Sequence, residues 1–274
     1  NEVLKTDGSG VLAWTANSGV AGAIDDLSDG KSGGTNFTGS MILGHQTTGT
    51  LNDAQYNTAV GINAMDALTH GDHNTAVGHD ALTSNDLGKD NAAYGFRALY
   101  SNMEGDSNVA VGYYALLDNT YGDSNTAVGD SSLNNNTTGG KNTALGEFSL
   151  ASNTTAGSST AVGYKALQNA TGDSNTAMGF HAGDVITSGR GNIIIGENSD
   201  PSAADTHYEI VIGAGATGKG THKAVIGSNS TTDVYMSQDM GATVHADGVK
   251  FYEDTANGTN YVGFNSAATL GGDQ

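Results

Sequence analysis

His70 and His73 flank Asp72, and an imidazole–carboxylate grouping of this kind suits Zn or Ni. The same loop recurs without histidine at Asp106-Ser107 and Asp123-Ser124, so it reads as a solvent turn with drifted side chains, and no metal ligand is assigned. The loops Gly105-Asp106-Ser107-Asn108, Gly122-Asp123-Ser124-Asn125 and Gly172-Asp173-Ser174-Asn175 offer the oxygen donors that Ca²⁺ takes. They lack the Gly-Gly-x-Gly-x-Asp nonapeptide of calcium-binding rolls, and Asn ladders and Asx-turns account for them with no ion. A third set is aromatic. Phe96, Tyr113, Tyr114, Tyr164 and Phe180 follow glycines, with Phe148 one place further on. Tyr113, Tyr114 and Tyr164 are the candidate binding residues, as exposed rings that stack on sugars. The competing and favoured role for the whole set is covering a thin core or packing between chains. No catalytic residue is assigned: there is no cysteine, no serine elbow or triad setting, and no strand–loop–helix phosphate loop.

The elements that position these side chains come from a repeat. Ala-Val-Gly or a close variant returns every 17 residues: Gly44, Gly61, Gly78, Gly95, Gly112, Gly129, Gly146 and Gly163 are in phase. Gly179 follows after 16 residues, then Gly196 and Gly213, and Gly227 after 14. Four residues past the glycine sits Leu or Met, as at Met65, Leu82, Leu99 and Leu116, and a Gly/Asp/Asn turn follows. Each unit therefore reads strand, glycine corner, strand, loop. Period-two alternation puts Thr58 and Val60 on one face and Asn57 and Ala59 on the other. One face lines a thin interior, and Ala and Gly on the other would let a neighbouring chain approach closely. Coils stacked in register lie about 4.8 Å apart, so 12 of them make a rod roughly 55 Å long. The fold class expected is all-β, a β-solenoid of about 17-residue coils. Glycine content and β-branched enrichment exclude a helical reading.

The Asn-Thr-Ala-Val-Gly-x-x-Ala-Leu units, over roughly residues 40 to 229, resemble the head repeats of trimeric autotransporter adhesins and, more closely, repeats of bacteriophage tail fibres. That resemblance implies a left-handed parallel β-roll, three chains around one axis, and a structural and adhesive role in a virion tail fibre, as shaft or host-contact region. Val3-Leu4-Lys5-Thr6-Asp7-Gly8-Ser9-Gly10 with Leu12 and Trp14, the segment Ala242–Lys250, and Tyr261-Val262-Gly263-Phe264 resemble phage-fibre elements too. The alternatives are a bacterial trimeric surface adhesin or filament, placed at the cell surface, and a tailspike-like glycan depolymerase. The last would need a groove between β-helices, and the repeats leave no long insertion to build one. The partners implied are two further copies of the chain, neighbouring fibre modules and a host-surface glycan or protein receptor.

Composition sets limits on all of these. Gly occurs 41 times, Pro once, and aromatics make up 7% of the chain, too few large side chains for an ordinary core. Stability must then come from backbone pairing or from other chains. A formal charge of −19, tripled in a trimer, repels nucleic acid and anionic membranes. No apolar run of ~18 residues signals membrane insertion, and no cofactor is expected. The chain opens at Asn1 without an initiator Met, as an internal or processed piece would. Three regions are expected: an N-terminal β cap or connector over 1–38, the β-roll over 39–229, and a C-terminal β module over 230–274. The closely similar coils favour a spacer, with irregular loops near Asp86-Leu87, Tyr121 and Thr154-Thr155 as candidate contacts.

Overall fold

A computed structural model describes residues 54–228, 230 and 231, together with the strands at 2–6, 12–16, 30–32 and 41–43. The chain divides into two compact units, Asn1–Thr232 and Asp233–Gln274, and all described residues lie in the first. Gly44, the C-terminal module expected at 230–274 apart from Ser230 and Thr231, and its motifs at 242–250 and 261–264 fall outside them.

The first unit is all-β, and among the described residues there is no helix. Strands β1 (Glu2–Thr6) and β2 (Leu12–Ala16) pair antiparallel, with Leu4 opposite Trp14; the Asp7-Gly8-Ser9-Gly10 part of the N-terminal motif lies outside the described residues. The remaining strands have three residues each: β3 (Gly30–Ser32), β4 (Met41–Leu43), β5 (Thr58–Val60), β6 (Thr75–Val77), β7 (Ala92–Tyr94), β8 (Val109–Val111) and β9 (Thr126–Val128). The series continues with β10 (Thr143–Leu145), β11 (Thr160–Val162), β12 (Thr176–Met178), β13 (Ile193–Ile195), β14 (Ile210–Ile212) and β15 (Ala224–Ile226). They form one sheet in sequence order from β3 to β15. β3 runs antiparallel to β4 and every later pair is parallel, in the register the glycines mark, as in Thr143↔Thr160. The short steps of the sequence are absorbed without slippage, at Thr160↔Thr176 and Ile210↔Ala224. This is a parallel β-solenoid of about 17-residue coils.

Two expectations about the coil need correcting. After the corner there is no second strand. The corner glycines Gly61 to Gly213 have φ between 132° and 144°, and residues two and four places later turn left-handed, as at Tyr114 (φ 57°) and Leu116 (φ 51°). These turns still stack: Leu99 N–H donates to Ala115 O at 3.0 Å and Ser101 N–H to Leu117 O at 2.9 Å. The second half of each coil thus satisfies its backbone between coils, as a sheet does, while bending too sharply for β dihedrals. The repeated inter-coil bonding holds in αL the non-glycine residues that ordinarily avoid it.

The second correction concerns the faces. The alternation of Asn57/Ala59 against Thr58/Val60 holds, but the alanine face is the interior. Ala59, Ala76, Ala93, Ala110, Ala127 and Ala144 are fully buried, opposite the column Met65, Leu82, Leu99, Leu116, Leu133 and Leu150. The coil is so narrow that one leucine reaches across it, leaving room for only a methyl group on the strand. The exchange near the C-terminal end follows the same volume rule. Gly183 takes the leucine position in the coil before Ile194, and its space is already filled: a Cβ there would lie 3.2 Å from Leu167 Cδ2, 3.3 Å from Ile186 Cδ1 and 3.5 Å from Ile194 Cγ1, the isoleucine that stands in the alanine column one coil later.

Candidate functional site

With alanine inside, the larger aliphatics of each strand face outward. The first and third residues of β5 to β15 form two outward columns, and neither contains a charged residue. The third-residue column runs Val60, Val77, Tyr94, Val111, Val128, Leu145, Val162 and on to Ile226. Val111 is 37% exposed, Met178 49% and Ile226 61%. On a chain of charge −19, these two columns stay uncharged through every strand from β5 to β15. An exposed apolar face that continues from coil to coil marks an interaction surface. Hydropathy alone would have sent valine inward; the width of the coil decides otherwise.

The aromatic residues form a second row beside the corner glycines, stacked coil on coil. Phe96 and Tyr113 lie with ring centroids 5.2 Å apart and planes 13° from parallel, and Tyr164 and Phe180 lie at 5.3 Å and 17°. Tyr114 packs against Tyr113 at 4.0 Å, and Lys165 Nζ lies 5.3 Å from the Tyr164 centroid. Tyr113 and Tyr164 therefore each turn one ring face toward an aromatic neighbour, and that face is not available to stack on a sugar. The Tyr114 hydroxyl beside Tyr113, aided by desolvation, raises the Tyr113 phenol above its ordinary range. Asp130 and Glu147, the equivalents in the two coils between these pairs, are exposed carboxylates. The row divides into two aromatic patches separated by acid.

The loop residues take structural partners. The Asp106 carboxylate accepts the N–H of Lys89 at 2.7 Å, Asp123 accepts that of Asp106 at 2.8 Å, and Asp173 accepts that of Gly157 at 2.7 Å. Each aspartate thereby ties its loop to the coil before it. His70, Asp72 and His73 do not converge. Thr69 Oγ1 lies 2.7 Å from His70 Nδ1; Asp72 accepts the Gln55 N–H at 3.0 Å and pairs with Lys89 Nζ at 3.0 Å; His73 stacks on Tyr56 at 5.1 Å. Desolvation opposes ionisation of Asp72, but the Gln55 and Lys89 hydrogen bonds outweigh it and hold the carboxyl below its usual range. Among the described residues, no three His, Asp or Glu side chains are grouped to hold a metal.

The ladder residues are asparagines. Asn57, Asn74, Asn91, Asn108, Asn125 and Asn142 form a buried column. Each Oδ1 accepts the N–H of its equivalent one coil later, as in Asn125 N to Asn108 Oδ1 at 2.9 Å. Each Nδ2 donates to a loop carbonyl fourteen residues on, as in Asn108 to Gly122 O at 2.8 Å. A second ladder links Asn85, Asn102, Asn119, Asn136 and Asn153 by Nδ2-to-Oδ1 bonds of 2.7 to 2.9 Å. It stops where Ala170 replaces asparagine, and there the buried Asn153 Oδ1 has no partner. Asp200 Oδ1 is likewise buried without a partner, and burial with the nearby Asp184 charge raises the Asp200 carboxyl above its ordinary range. Comparison with family models, curated proteins and solved structures yields no match.

Proposed function

We propose that the chain is a structural and adhesive segment of a homotrimeric virion tail fibre, a left-handed β-roll shaft whose three copies meet along the uncharged strip. The observation that carries this reading is the outward column from Val60 to Ile226. It repeats in every coil, so its natural partner is another object of the same repeat, and a second and third copy supply it. Linear stacking supports the mechanical part of the role, since length scales with coil number. Uniform coils favour a spacer over a receptor pocket, with contact to host glycans or proteins left to loop residues and ring edges, individually weak and multiplied by three. Catalysis has no part in this reading: the described coils keep their 17-, 16- and 14-residue steps with no long insertion to wall a groove.

Light scattering during size-exclusion chromatography tests it. The intact chain should elute with three times its 27.7 kDa mass. A double variant, Val111→Glu with Val128→Glu, should give the single-chain mass with its β circular dichroism retained. A wild-type chain that runs as a compact monomer overturns the trimer.

A further inference from the structure

The first asparagine ladder ends on a carboxylate. Asn175 and Asn192 repeat the pattern of the earlier coils: Asn192 N–H donates to Asn175 Oδ1 at 3.0 Å, and Asn192 Nδ2 donates to Thr206 O at 2.7 Å. Glu209 occupies the next step. Its N–H continues the ladder, donating to Asn192 Oδ1 at 2.9 Å, but its ionised side chain has no hydrogen to pass on. The surrounding chain inverts to match. Where other coils present a carbonyl, this one presents donors: Ser202 N at 3.0 Å and Ser202 Oγ at 3.1 Å to Oε2, and Gly220 N at 2.7 Å and Lys219 N to Oε1. The side chain is fully buried. Gly218 packs against it so closely that a Cβ there would overlap the carboxylate. This is also the shortest coil, Ile210 pairing with Ala224, because the 218–220 backbone folds in under Glu209 instead of continuing outward.

We propose that Glu209 is an acid-released latch that terminates the ladder and holds the last coil, residues 210–228, on the stack. Ionised, it gathers the 202 loop and the 218–220 turn around one buried charge. Protonated, it loses the charge that those donors compensate, and the coil opens. The ionisable groups on the elements packed around it are Asp205 and His207 on its own approach, Asp200 in the coil before, and Lys219, His222 and Lys223 in the coil after. The carboxylate bonds none of these side chains; its partners are three backbone N–H groups and one hydroxyl. Desolvation alone would raise this carboxyl, but the Ser202, Gly220 and Lys219 donors together hold it below the ordinary glutamate range. A carboxyl depressed by folding stabilises above its unfolded value, and that contribution disappears as pH falls through the folded one. The latch is therefore closed at neutral pH and opens only in acid.

Amide hydrogen exchange followed by mass spectrometry on the intact chain, corrected for the intrinsic pH dependence of exchange, reads the latch directly. In the wild type, protection of 210–228 should be level from pH 8 to 5 and fall about tenfold or more below pH 4, while the coils from 92 to 145 hold. Glu209→Gln should leave 210–228 poorly protected at every pH, with no acid step and normal central coils. Should Glu209→Gln fail to fold, Ser202→Ala removes one donor and should move the acid step to higher pH. A wild-type last coil without an acid step, an unchanged step in Glu209→Gln, or an unmoved step in Ser202→Ala overturns the proposal.

Discussion

Replacing Gly112 by valine tests the central claim about the corner. Gly112 has φ +142°, a region open to glycine alone, and holding a branched residue there costs about 1–3 kcal/mol. Space is closed as well. A Cβ at Gly112 would lie 2.7 Å from the carbonyl carbon of Gly129 and closer still to its oxygen. These are stiff backbone atoms of the next coil's corner, so relief requires the two coils to part at this point. That strains the bonds from Gly112 N to Tyr94 O and from Gly129 N to Val111 O, both 2.8 Å, worth about 1 kcal/mol each. The expected loss is about 3–5 kcal/mol, large against the stability of most domains. Urea unfolding monitored by far-ultraviolet circular dichroism gives the magnitude, and amide exchange at Gly95, Gly112 and Gly129 shows whether the damage begins at the corner. The control is Asp106→Ala, an exposed residue whose carboxylate accepts the Lys89 N–H; it should cost about 0.5–1 kcal/mol. If Gly112→Val unfolds within about 1 kcal/mol of wild type, the corner is not a close backbone contact and the coil geometry argued above is wrong.

Two further substitutions probe the ladders. Asn108→Ala strips the acceptor from the buried Asn125 N–H and one of two donors from the Gly122 carbonyl, which keeps Asn119 Nδ2 at 3.0 Å; one orphaned group should cost about 1–3 kcal/mol in thermal or urea unfolding, and a loss under about 0.5 kcal/mol would mean that water replaces the amide. Gly140→Asp should do the opposite. Gly140 occupies the position held by Asp123 one coil earlier and by Asp106 two coils earlier and lacks their carboxylate, so an aspartate there would accept the Asp123 N–H as Asp123 accepts that of Asp106. A gain of about 0.5–1 kcal/mol in the same unfolding assay is expected, and destabilisation would show that the loop tie is incidental.

The period, the corner glycines and the alternation of the strand were all legible in the sequence, because each is a constraint on backbone spacing that leaves one residue type per position. What was not legible has two physical sources. The first is αL backbone at ordinary residues. Leu82, Leu99, Leu116 and Leu133 have φ between 50° and 53°, and no propensity places leucine there; only the accumulated bonding of stacked turns does. A second strand was the reasonable expectation and the wrong one. The second source is cross-section. Alternation distinguishes Ala59 from Val60 but not inside from outside, and hydrophobicity votes for valine. That vote fails because Leu82 and its equivalents already span the coil. The asparagines were readable as ladders, but the Glu209 step looked like any scattered acid. Its signal was present in the sequence, as an acidic residue in an asparagine column followed by the shortest repeat.

The same cross-section bears on why such a chain would assemble. A coil that buries one leucine and two alanines, as at Ala76, Ala81 and Leu82, buries little apolar area, and its hydrogen-bond ladders contribute only modestly net of water. The aliphatics that would ordinarily supply the difference stand outside. Eleven residues from Val60 to Ile226 occupy the outward column, and covering the exposed part of each is worth about 1 kcal/mol, so on the order of 10 kcal/mol per chain. Bringing chains together costs a comparable amount, estimated at about 4–15 kcal/mol. The strip therefore suffices only as a whole, and no single residue on it dominates. In the proposed trimer, trimming one valine to alanine is therefore tolerable, whereas a carboxylate in mid-strip is not, because it would be desolvated against its own copies with no cation in either outward column to meet it. An interface of this kind ties oligomer strength to length, and a fibre shaft is a structure in which length is the function.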